Sequence, residues 1–103
     1  MMIDFAKKIR NIDGEEMRLA RPGRDAIPMT LALVAIEAIL ADDPDANTAA
    51  LKVERFMLAS RIHGAAGELD LSPEEVALIR ACVGSKCPTL ICGRAFELLD
   101  PPK

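Results

Sequence analysis

An α+β domain, in which a β-hairpin over residues 3–20 lies on a bundle of four helices, is predicted by a change of period along the sequence. Apolar residues alternate with polar ones near the N-terminus, as on a half-buried strand. From Pro28 onward they recur at helical spacing. A chain of 103 residues encloses one core, so residues 1–103 are expected to form one domain, with hairpin and loop over 1–24 and a helical part over 28–100.

Taken in order, Ile3, Phe5 and Ile9 mark the first strand, and Met17 and Leu19 mark the second. Between them Asp13-Gly14 supplies the residue that a tight reversal needs at positive φ. So few apolar residues cannot hold a hairpin alone, and one face must rest on the helices. Arg21-Pro22-Gly23-Arg24-Asp25 reads as a turn or loop without periodicity. The first helix, near 30–41, is capped by Thr30 and stopped before Pro44; being apolar almost all round except at Glu37, it is expected to be central. The second, near 48–63, places Val53, Phe56, Met57 and Ser60 on one side, with Lys52, Glu54, Arg55 and Arg61 largely elsewhere, and ends at Gly64 and Gly67. The third, near 73–83, opens on Ser72-Pro73-Glu74-Glu75, a capping box with Pro at the first helical position, and is expected to stop at Gly84. A fourth, near 88–99, carries Leu90, Ile91, Ala95, Leu98 and Leu99 and is closed by Pro101-Pro102.

These segments resemble small uncharacterised proteins encoded by tailed phages and bacterial prophages. The features that carry the resemblance are the Ile3-Asp4-Phe5 strand, the Ile12-Asp13-Gly14 turn, the apolar helix over 30–41, the stretch LSPEEVALI over 71–79 and the closing GRAFELLD over 93–100. The resemblance implies a phage or prophage origin in a bacterial host. It implies no defined activity and carries over no functional residues.

Composition narrows the functional classes. Half the residues are apolar and 28% are charged, the balance of a globular protein, and the aromatics are Phe5, Phe56 and Phe96 alone. The net charge of −3 offers no global attraction to nucleic acid or anionic lipid. No run approaches the roughly 18 apolar residues of a membrane span, and Asp4, Lys7 and Lys8 stand where a signal peptide would be apolar. Three cysteines make an unpaired framework, and a cytoplasmic location is expected.

Those cysteines, Cys82, Cys87 and Cys92, are the one place where the sequence hints at chemistry. A zinc site wants four ligands in tetrahedral array, and His63, the sole histidine, lies far upstream. Helical spacing explains more: Cys82 follows Leu78 by four positions, and Cys92 precedes Phe96 by four, so both are expected inside as small apolar groups. Cys87 is expected at the exposed corner between helices, capping the fourth, with its thiol pKa lowered by Lys86 and the helix dipole and its reaction with thiol reagents fast. No metal, cofactor or catalytic residue is predicted.

Other features have plain explanations. Gly93 inside a helix suggests close packing against a neighbour, and Arg94 beside it a contact to a partner's carboxylate. Asp42, Asp43 and Asp45 lack the glycine and glutamate of a calcium loop and read as a solvated connection. Lys7, Lys8, Arg10, Arg18, Arg21 and Arg24 form a basic strip that lacks stacking aromatics or a basic recognition helix. Phosphate-loop, dinucleotide, nucleophile-elbow and zinc-protease motifs are all absent. The expectation is a non-enzymatic phage or prophage accessory protein, a protein–protein interaction or self-associating module, whose partner is a protein, a second copy included, rather than nucleic acid or a membrane. The alternative from another class is a nucleic-acid-binding regulator using the basic hairpin; a third is a small thiol or metal protein.

Overall fold

The helices begin where side chains take up backbone N–H groups that a first turn leaves unpaired. In the computed structural model, which describes residues 1–65 and 67–99, Thr30 accepts from the Leu33 N–H at the start of α1 (Leu31–Leu40). Thr48 does the same for α2 (Ala49–Gly64) through the Leu51 N–H. Ser72 and Glu75 form the reciprocal capping box of α3 (Pro73–Lys86). The Pro88 carbonyl accepts from the Cys92 N–H at 2.8 Å, which starts α4 (Thr89–Leu99). A single 3-10 turn, Pro44–Ala46, interrupts the connection between α1 and α2. The four helices thus match the expected spans, with one correction. α3 passes through Gly84 and ends when the Cys87 N–H bonds to the Val83 carbonyl. Gly84 does not take positive φ, and a Cβ there would meet Cζ of Phe96 at 3.6 Å, an ordinary contact, so neither a stop nor a steric need marks this glycine. The closing role of Pro101-Pro102 lies outside the described residues.

Two small antiparallel sheets accompany the helices, so the α+β class is as predicted, but the single hairpin over 3–20 is not. β1 (Met2–Asp4) pairs with β4 (Glu68–Asp70), Ile3 opposite Leu69, across most of the chain. β2 (Arg18–Arg21) pairs with β3 (Arg24–Pro28) around Pro22-Gly23, so the stretch read as a turn or loop is a turn, but one between two strands. Gly23 has φ +68, and Pro followed by a residue at positive φ is the signature of a type II turn. The expected reversal at Asp13-Gly14 does occur, with Gly14 at φ +92, but it is flanked only by an isolated Arg10–Glu16 bridge. The reason lies in the core: Ile3, Phe5 and Ile9 are each at most 1% exposed, but Lys7, which would share their face in a continuous strand, is exposed, so the backbone turns after β1 instead of running on.

The segment between β1 and β2 instead builds the N-terminal end of α1. The Leu31 N–H donates to the Lys7 carbonyl at 2.8 Å and the Ala32 N–H to the Phe5 carbonyl at 3.0 Å, which leaves the Leu33 N–H to Thr30. Three backbone bonds close a ring beside this cap: Ile9 N–H to Met29, Met29 N–H to Met17, and Met17 N–H to Ile9. Arg94 of α4 latches the following turn, its guanidinium donating to the carbonyls of Arg10 (3.1 Å) and Asn11 (2.9 Å). Residues far apart in sequence therefore converge on one core, in which Phe5, Leu31, Ile39, Ile62, Ile79 and Leu99 are among the fully buried side chains.

Two carboxylates hold the helix connections. Asp43 accepts from the Asp45 N–H and from Arg55 at 2.9 Å, and these donors, the backbone one first, lower its pKa below the usual 3.8. Glu75 accepts from the Ser72 N–H and from Arg61, and its pKa falls below 4.5 with the backbone donor again the larger cause. A carboxylate with a depressed folded-state pKa contributes stability that is present above the unfolded value and lost as the pH falls through the folded one. Stability is therefore expected to decline once the pH drops below about 4.5, and the Asp43→Asn/Glu75→Gln double variant should lose less over that acid range than the parent does. Urea titrations at neutral and acid pH measure this; identical pH slopes for both proteins would contradict it.

Candidate interaction surface

α2 carries two apolar stripes on opposite sides. Leu58, Ala59 and Ile62 form the buried one. Val53, Phe56 and Met57, spaced i, i+3 and i+4, form the other, and they are 56%, 62% and 60% exposed. The side shared by Val53, Phe56, Met57 and Ser60 thus faces outward, against the usual direction of an amphipathic helix. Polar tethers set this rotation. Arg55 pairs with Asp43 on one flank of the buried stripe, with both side chains largely covered, and Arg61 pairs with Glu75 on the other.

α1 is likewise two-sided rather than enclosed. Leu31, Val34, Ala35, Ala38 and Ile39 face the core. Leu33 and Ile36 are only half-buried, and Leu40 is 53% exposed. Leu33 and Glu37 line a cleft of about 290 Å³ with Leu19 and Met29 from the β2–β3 hairpin and Cys87, Pro88 and Ile91 from the α3–α4 corner. The cleft opens onto a shallow apolar shelf formed by Ile36 and Leu40. Glu37 is exposed at the centre of this groove.

The cysteines do not come together as a site. Cys82 is buried, and Cys87 and Cys92 are half-buried against the core. Among the described residues no group of three or more His, Cys, Asp or Glu side chains is placed to hold a metal ion. Cys87 is not the cap of α4 but the last residue of the α3 turn, and its pKa is raised, first by burial and then by Cys92 and Glu37. The expected activation by Lys86 and a helix dipole is therefore overturned: the Lys86 ammonium donates to the Asp42 carbonyl at 2.7 Å, and the thiol lies in a mainly apolar cleft that Lys86 and Glu37 both line. In a thiol-reagent titration Cys82 should react only after unfolding and Cys87 more slowly than free cysteine at the same pH, since the thiolate is the reacting form. Rapid labelling of Cys87 in the native protein would contradict that environment.

The remaining candidates are absorbed by the fold. Gly93 is exposed and a Cβ there meets nothing within 4 Å, so the close helix contact expected at Gly93 does not occur. Arg94 is an internal latch rather than a free hook for a partner. Within the basic strip, Arg10 donates to the Gly14 carbonyl, Arg18 to Ala26 and Arg21 to Asp25, while Lys8 pairs with Glu16. The Asp43–Asp45 connection is closed by its own backbone and by Arg55. No described helix is long and apolar enough to cross a membrane. No protein-family model, curated protein or solved structure matches the chain.

Proposed function

We propose that this protein is a non-enzymatic interaction module that works through the outward face of α2, as an accessory protein in the phage or prophage setting implied by the resemblance and in the bacterial cytoplasm. One observation carries the proposal: three large apolar side chains stand side by side in water on a helix whose core contacts are already made by the opposite stripe. Burying each of them in a contact is worth roughly 1.5–3 kcal/mol, so the face is a store of binding free energy that the isolated fold leaves unused. The nucleic-acid reading has less support, because the guanidinium groups of Arg10, Arg18 and Arg21 are engaged by carbonyls of their own segment. A photo-reactive residue in place of Ser60, at the centre of the face, should cross-link to a second copy or to another protein in cells of a bacterial host, and the adduct should vanish with Phe56→Ser. A probe at Ser60 that yields no protein adduct would refute the proposal.

A further inference from the structure

The three cysteines share no common site, but two of them occupy facing positions, and we infer that Cys87 and Cys92 are a redox pair that closes reversibly into an intramolecular disulfide. α4 begins at Thr89, and the Pro88 carbonyl accepts from the Cys92 N–H at 2.8 Å. Pro88 is therefore the N-cap, Cys87 the residue before it and Cys92 the fourth residue of the helix. Side chains at those two positions fold together across the first turn, where apolar residues pack as a staple. Here both are thiols, each half-buried against the same core. Their proximity is also felt electrostatically: after burial, Cys92 is the next cause that raises the pKa of Cys87. Cys82 stands apart. It is buried on α3, and the groups that act on its thiol after burial are Arg55, Asp43 and Lys86 rather than another cysteine.

A disulfide needs Cβ atoms about 3.5–4.5 Å apart. Cys87 belongs to neither helix and has extended backbone, φ −100 and ψ 149, so the adjustment that brings the sulfurs to bonding distance falls on the connection rather than on α4. The oxidant is a hydroperoxide, which reaches the pair through the cleft that Cys87 lines. The Cys87 thiolate attacks the O–O bond and becomes a sulfenic acid as alcohol leaves. The Cys92 thiol then attacks that sulfur, the S–S bond forms and water departs. Over both steps the two thiols give up two protons and two electrons, and the hydroperoxide is reduced to an alcohol and water. Only the thiolate attacks, so a raised pKa makes closure slow; a high-pKa thiol is also a poor leaving group, so reopening is slow. The bond thus registers sustained oxidation rather than a brief pulse, and it pins the α3–α4 corner that forms one wall of the cleft with Pro88 and Ile91.

The test treats the native full chain with hydrogen peroxide, blocks the remaining thiols with iodoacetamide in denaturant and digests with trypsin. Cleavage after Arg80, Lys86 and Arg94 puts Cys82 in peptide 81–86 and the pair in peptide 87–94. Peptide 87–94 should lose two hydrogens and carry no blocking group, more slowly than free cysteine is oxidised, and dithiothreitol should restore two alkylatable thiols. Peptide 81–86 should be alkylated in full. Cys92→Ala should abolish the loss of two hydrogens and leave Cys87 to proceed to sulfinic acid, whereas Cys87→Ala should slow oxidation of Cys92 several-fold. Sulfinic acid at Cys87 of the parent beside an alkylated Cys92 would overturn the inference. So would a bridge that includes Cys82, a bridge between two chains, or both thiols of peptide 87–94 still alkylated after prolonged exposure to peroxide.

Discussion

Phe5→Ala is expected to cost about 3–5 kcal/mol of folding stability, whereas Phe56→Ala should change it by no more than about 0.5 kcal/mol. The two side chains are chemically identical and differ in where the fold puts them. Phe5 is 1% exposed, and its carbonyl also caps α1, so truncation opens a cavity beneath the first turn of that helix. Phe56 is 62% exposed, so truncation removes contacts mainly with water. A domain of this size has about 5–15 kcal/mol in all, which makes the first change a threat to folding and the second almost silent. Urea unfolding of the two variants reads the difference directly. Comparable losses at both positions would mean that α2 is rotated from the orientation described.

A second pair of substitutions tests the same rotation from within one helix. Ile62→Ala, on the buried stripe and 2% exposed, is expected to destabilise by about 2–5 kcal/mol. Val53→Ala, on the outward stripe and 56% exposed, should fall within about 0.5 kcal/mol of the parent; alanine's better helix propensity offsets the little packing that is lost. Double-variant stabilities should add, because the two stripes share no partner. A larger loss at Val53 than at Ile62 would place the outward face in the core.

The helices were legible because their start signals are local. Thr30, Thr48 and Ser72 each act within three residues of themselves, and Thr30 and Ser72 cap the helices for which the sequence marks them. The strands were not, because their partners are distant. β4 is Glu68-Leu69-Asp70, one apolar residue between two acids, and nothing local reveals that β1 lies beside it. Arg21-Pro22-Gly23-Arg24 did hold a usable signal, a Pro-Gly turn between Leu19 and Ile27, but β3 on its far side lacks alternation and Leu19 to Arg21 is irregular in register.

The outward face of α2 was visible as an apolar side but not as an exposed one. A helix with apolar residues on two sides has two possible rotations, and the choice is made by Arg55 with Asp43 and Arg61 with Glu75, contacts that cross from one element to another. The cysteines show the converse. Helical spacing alone identified Cys82 as a packing residue, while the environment of Cys87 depends on Leu19, Met29 and Glu37, which are brought beside it only by the tertiary fold.

The most direct test of the account is hydroxyl-radical footprinting of the unmodified protein across a wide concentration range, read at Phe5, Phe56 and Met57. Phe56 and Met57 should be modified rapidly in dilute solution, while Phe5 stays protected throughout. Phe56 as slow as Phe5 at every concentration would mean that it is a core residue.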